Sequence, residues 1–217
     1  MPVNAGLATL SDHMFTWSII LYSLALVAYC GEYAFGRRGK FASTSPEQVL
    51  VPAGVAAGRG APAVKSVSAP PKPPRVRMRA PQAERFGRVA VTATVLGLAV
   101  QLTSLTLRGI ATHRVPWGNM YEFASVVGAA AVIAYLVVLI RLPQVRYLGM
   151  FLLFPIVVLL FLAGTVLYAP AAPLVPALRS YWIAIHVTTI SIGTGIFLVS
   201  FVATVLYLVR RRWEVAV

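Results

Sequence analysis

Five stretches of this chain stay apolar for about twenty residues or more, and that limits the fold before anything else does. They cover residues 14–35, 86–107, 121–140, 147–168 and 181–209. A helix needs about 20 residues to cross the roughly 30 Å hydrocarbon core of a bilayer. Inside that core every backbone N–H and C=O must find a partner within the protein, so only helices or a closed barrel can span it. Five spans in one chain cannot close a barrel. The sequence therefore predicts an all-α, polytopic membrane protein with about five transmembrane helices. Composition agrees: 59% of the residues are hydrophobic and only 12% are charged, against about 25% charged in soluble domains. An ordinary water-soluble globule and a wholly disordered chain are both excluded. Pro155 predicts a kink in the fourth span.

The formal net charge is +13, from 19 Lys and Arg against 6 Asp and Glu. An excess of that size often points to nucleic acid, but no nucleic-acid fold or motif accompanies it, and topology explains it better. Residues 1–36 hold no Lys or Arg, whereas Arg37, Arg38 and Lys40 follow the first apolar run. A cleaved signal peptide has the reverse order. With the N-terminus outside and the C-terminus inside, sixteen basic residues fall on the inner side, and only Arg108, Arg114 and Arg179 on the outer. This is a strong positive-inside bias.

The chain then divides into an external N-terminus and first span (1–35), a cytoplasmic linker (36–85) and a four-helix region (86–217) with outer loops at 108–120 and 169–180. The linker is rich in Pro, Gly and basic residues and reads as disordered and extended. Its charges suit attraction to anionic lipid.

Side-chain chemistry is sparse. Cys30 is the only cysteine, so no internal disulfide, CxxC motif or thiolate cluster is possible. The three histidines, His13, His113 and His186, all fall on the outer side of this topology. Counting about 20 residues outward from Leu208 places His186 about one turn above the outer hydrocarbon edge, where a hydrated imidazole can bind a metal. Thr189, Gly193 and Ser200 share its face, and Ser191 with Gly195 forms a small-xxx-small pair. A helix-packing stripe with an interfacial His explains this pattern too.

The most distinctive local pattern is Arg114-Val115-Pro116-Trp117-Gly118-Asn119-Met120-Tyr121-Glu122-Phe123. Asn119 followed three residues later by Glu122 reads as an N-cap with its capping-box partner. Pro116 and Gly118 suit a turn, and Trp117 and Tyr121 suit an interfacial aromatic belt. A functional alternative has Trp117, Met120 and Tyr121 lining an outer cleft for a flat apolar ligand. Asp12 is a candidate cap for the first span.

That ten-residue motif, followed by an apolar span, resembles the N-terminal half of the CcsA/ResC family (called CcsB in actinobacteria). These are the multispan haem-handling subunits of system II cytochrome c biogenesis. Leu178-Arg-Ser-Tyr-Trp-Ile-Ala-Ile-His-Val187 is similar to the family's stretch leading to its first external haem-ligating His. The resemblance covers nearly all of the chain outside the linker. It implies that His186 is an axial ligand to haem iron, with Trp182, Trp117, Asn119, Met120, Tyr121 and Glu122 as haem-site residues. It also implies haem b held transiently as substrate, and covalent attachment of that haem to an apocytochrome c on the outer face. The implied partners are a ResB-like membrane subunit and a thioredoxin-like thiol reductant. The implied setting is the bacterial cytoplasmic membrane.

The family continues with a Trp-rich external segment and a second external His, and the printed sequence holds neither. A truncated or split form, or a short homologue completed by another subunit, accounts for that, and the chain would be part of a haem lyase rather than competent alone. Two further readings stand beside it: a non-catalytic membrane scaffold for a haem-handling partner, and an unrelated small multispan transporter.

Overall fold

The computed structural model describes residues 4–42, 81–173 and 180–215. Among the described residues there are five α-helices, α1 (Ala5–Ala42), α2 (Pro81–Thr112), α3 (Met120–Arg141), α4 (Leu148–Thr165) and α5 (Tyr181–Val215), with a 3₁₀ turn at Pro143–Tyr147 before α4. All five are long and apolar enough to cross a membrane. The chain is an all-α, multi-pass membrane protein.

Several helices outrun their apolar stretches. α1, α2 and α5 contain 38, 32 and 35 residues, or about 57, 48 and 52 Å at 1.5 Å per residue. Each therefore extends beyond a hydrocarbon layer of about 30 Å. Both ends of segment 36–85 are thus helical, because α1 continues to Ala42 and α2 begins at Pro81. Proline suits a first helical turn, where its missing N–H would have had no partner. The body of that linker, with its anionic-lipid expectation, lies outside the described residues, as does Arg179.

Asn4, not Asp12, caps α1, its Oδ1 accepting from Leu7 N at 3.2 Å. α2 continues through the expected start of the outer loop to Thr112. It closes with His113 N donating to Ile110 O and Arg114 N to Gly109 O, the paired bonds of a Schellman motif. His113 occupies the left-handed position at φ 52°, where glycine is usual. α4 passes through Pro155 without a break and stops at Thr165, so Tyr168 lies beyond the helix.

Helices in a bilayer gain little from hydrophobic exclusion and associate through close packing and interhelical hydrogen bonds. α1 and α2 form an antiparallel pair joined along its length by such bonds. Ser11 Oγ donates to Ser104 O at 3.0 Å, and Tyr22 Oη donates to Gln101 Oε1 at 2.6 Å. Phe35 stacks on Phe86 with ring centroids 5.3 Å apart. Gln101 also reaches α3, donating to Ser125 O at 3.0 Å. α4 fills the remaining side with Leu152, Leu153, Ile156 and Leu160, all buried. No buried side-chain nitrogen or oxygen among the described residues lacks a hydrogen-bond partner.

α5 lies against α3 along one narrow seam of Ser191, Gly195, Val199 and Val202, all buried. A Cβ on Gly195 would sit 2.7 Å from Ala131 N, so only glycine permits this approach. The small-xxx-small pair read from the sequence is this contact.

Candidate functional site

Burying a charge costs several kcal/mol unless it is paired and hydrogen-bonded. Arg108, just before the last turn of α2, is only 1% exposed, and Glu122, in the first turn of α3, is fully buried. Their partners explain how both are tolerated. Arg108 Nε donates to Glu122 Oε1 at 2.9 Å, and its Nη1 to Asp12 Oδ1 of α1 at 2.9 Å. Its Nη2 donates to the carbonyl of Ala169, beyond α4. Arg114 grips the same carboxylate with two nitrogens, at 2.8 and 3.1 Å, a paired geometry that suits guanidinium and carboxylate. Arg114 also donates to Ala172 O. Gly118 N adds a bond to Glu122 Oε2 at 2.7 Å. Two cations and two anions balance, and three helices and both loops at this end are tied to them.

Aromatic groups close the cluster from below. The Arg108 guanidinium carbon lies 4.6 Å from the centroid of Tyr121, within cation–π range. Tyr121 meets Phe15 and Tyr168 edge-on, at 4.7 and 5.6 Å. Tyr168 Oη donates to Asp12 Oδ2 at 2.7 Å. This bond to a carboxylate holds the Tyr168 proton and pushes its pKa above the usual phenol value, with partial desolvation adding to the shift.

This geometry corrects two expectations. Asn119 does cap α3, its Oδ1 accepting from Glu122 N at 2.8 Å. The Glu122 carboxylate does not complete a capping box, because Arg108, Arg114 and Gly118 take it instead. Trp117, Met120 and Tyr121 do not line one cleft. Consecutive helical residues point about 100° apart, so Tyr121 turns into the core at 2% exposure while Met120 is 66% exposed. Trp117 is half-buried in the turn.

His186 and Trp182 have a different setting. They stand one turn apart on α5, both exposed. At 100° per residue their face lies roughly opposite the Ser191–Gly195 seam. Thr189 and Ser200 on this face are exposed too, and a Cβ on Gly193 would meet nothing within 4 Å. The register against α3 fixes the height of His186. Gly195 abuts Ala131, and the two helices run in the same direction. Nine residues back along each, about 13 Å, are His186 and Glu122. The imidazole therefore lies level with the buried ionic layer, on the outward side of the helix. Among the described residues no hydrogen bond, ion pair or ring contact joins His186 or Trp182 to Trp117, Met120, Tyr121 or Glu122. Trp182 does meet Tyr181 edge-on at 6.5 Å.

Sequence reasoning missed Arg108, Asp12 and Tyr168 as members of one cluster. The available signal was an arginine directly after an apolar run, since a charge at membrane depth always needs a partner. No three His, Cys, Asp or Glu side chains gather into a metal site among the described residues. Comparison with known proteins gives no match: no family model, no curated protein and no solved structure.

Proposed function

We propose that the chain is a membrane component of cytochrome c assembly that helps to bind or present haem, as substrate, on the outer face of the bacterial cytoplasmic membrane. The observation that carries this reading is the position of His186. It is an exposed imidazole with Trp182 one turn away, level with the ionic layer and on the unpacked side of α5. Haem is a large flat apolar ligand whose iron takes nitrogen donors, and this face offers one nitrogen beside an aromatic surface. The resemblance of residues 114–123 and 178–187 to the CcsA/ResC family supports the same role. So does the excess of arginine at the Arg146 end of the bundle, since the positive-inside rule favours the outside for the opposite, Asn119 end, where His186 lies.

In this reading Glu122 and its two arginines do not touch haem. They hold the ends of α1, α2, α3 and the segment after α4 in fixed relation, and α5 is carried on α3. The second iron ligand and the apocytochrome come from elsewhere, through a ResB-like subunit or a further polypeptide.

Protein expressed with haem and purified should give a Soret band whose position and intensity change in His186→Ala and recover with added imidazole. An unchanged band in that variant rejects the ligand assignment.

A non-catalytic scaffold is the second reading. It draws on the ionic cluster, which uses the most distinctive sequence motif for helix assembly. It predicts no retained haem but stable copurification with a haem-handling partner.

A further inference from the structure

The last turns of α5 carry chemistry that neither haem nor helix packing uses. Tyr207, Arg210, Arg211 and Glu214 fall on one helix face and line a surface cavity of about 480 Å³. Arg210 Nε donates to Glu214 Oε1 at 2.7 Å, but this pair is 80% and 61% exposed. Exposed pairs one helical turn apart hold only weakly, so Arg210 is free to exchange its carboxylate for another anion. Arg211 and Arg212 have no carboxylate partner among the described residues. Trp213 is 71% exposed and Tyr207 62% exposed, amphipathic rings of the type that settle at headgroup depth.

We propose that this end of α5 binds the phosphate of an anionic lipid. Arg210 and Arg211 would be its hydrogen-bond donors, with Tyr207 and Trp213 seated at the level of the headgroups. Lipid is the chosen source for three reasons. The donors sit at the end of a membrane-spanning helix, aromatic rings flank them, and the surrounding helix face is apolar. The cavity also contains Glu214, whose carboxylate competes with the phosphate. That competition makes the site specific enough to test in both directions.

The full chain in neutral detergent is titrated with phosphatidylglycerol, phosphatidylcholine or inorganic phosphate, and adducts are counted by native mass spectrometry. The wild type should prefer phosphatidylglycerol. An arginine in direct contact with the headgroup is worth about fivefold in affinity, so Arg210→Gln with Arg211→Gln should weaken that binding by roughly twenty-five-fold. Glu214→Gln should strengthen it. Arg85→Gln with Arg88→Gln removes equal charge from exposed positions at the same end and should leave binding within about twofold of wild type. Equal loss in both arginine pairs would mean diffuse attraction and would overturn the site. Inorganic phosphate competing as well as the lipid at matched concentration would overturn the lipid assignment. Melting curves confirm that each variant is folded.

Discussion

At the Asn119 end of the bundle, two arginines meet two carboxylates and the cluster is buried. At the Arg146 end, seven arginines meet three glutamates among the described side chains, and six of those arginines are exposed. Arg146 is the exception. Its Nη2 lies 2.6 Å from Glu32 Oε1, linking α1 to the turn before α4. A Cβ on Gly87 would fall 2.3 Å from the same guanidinium, so α2 closes over this pair as well. The Tyr135 hydroxyl lies within hydrogen-bond distance of Tyr29 Oη, at 3.0 Å, and of Arg146 O, at 3.2 Å. Balanced, buried charge organises helices, and surplus, exposed charge faces outward to solvent and headgroups. The number of arginines at an end therefore says less about its role than the number of carboxylates that accompany them.

The sharpest way to break this comparison is Glu122→Ala. It leaves Arg108 buried beside a lost partner, and breaking such a pair costs about 3–5 kcal/mol. Folded yield and resistance to denaturant should fall steeply, and Arg108→Ala should do the same. A loss below about 1 kcal/mol would mean that the cluster does not hold the helices together.

Glu32→Ala tests the opposite end. Its pair with Arg146 is small and partly solvated, and a hydrogen bond to a charged group is worth about 1.5–3 kcal/mol. The expected destabilisation is near 2 kcal/mol, measured in the same assay. A cost equal to that of Glu122→Ala would erase the distinction between the two ends.

The smallest effect concerns pH. The Tyr168 pKa is raised in the folded protein by its bond to Asp12. Its contribution is therefore complete below the unfolded phenol value of about 10 and declines as pH climbs above it. The stability advantage of wild type over Tyr168→Phe should be constant up to about pH 9 and shrink beyond pH 10. An advantage that persists unchanged at pH 11 would show that the Tyr168–Asp12 bond contributes nothing.

The five spans were legible because length and apolarity in a bilayer admit few solutions. Asn119 as a cap was legible because a helix start needs a local acceptor, and the Ser191–Gly195 seam because small residues at four-residue spacing permit close approach. The role of Glu122 was not. Local spacing offers its carboxylate one partner, the backbone at Asn119, whereas the fold brings up Arg108 and Arg114 from another helix and a loop. Arg108 was assigned to a loop because the apolar run ends at Leu107, but the backbone stays helical for five residues more. The shared cleft failed for a simpler reason: Met120 and Tyr121 are neighbours in sequence and so cannot share a helix face.

The narrow seam on α5 also has a mechanical result. A stiff rod gripped between Ser191 and Leu206 pivots there. His186 lies five residues beyond one end of the grip, and Arg210 four residues beyond the other. Rocking about that fulcrum swings the two tips in opposite directions by similar amounts. Whatever fastens the arginines also steadies the imidazole at the far side of the membrane.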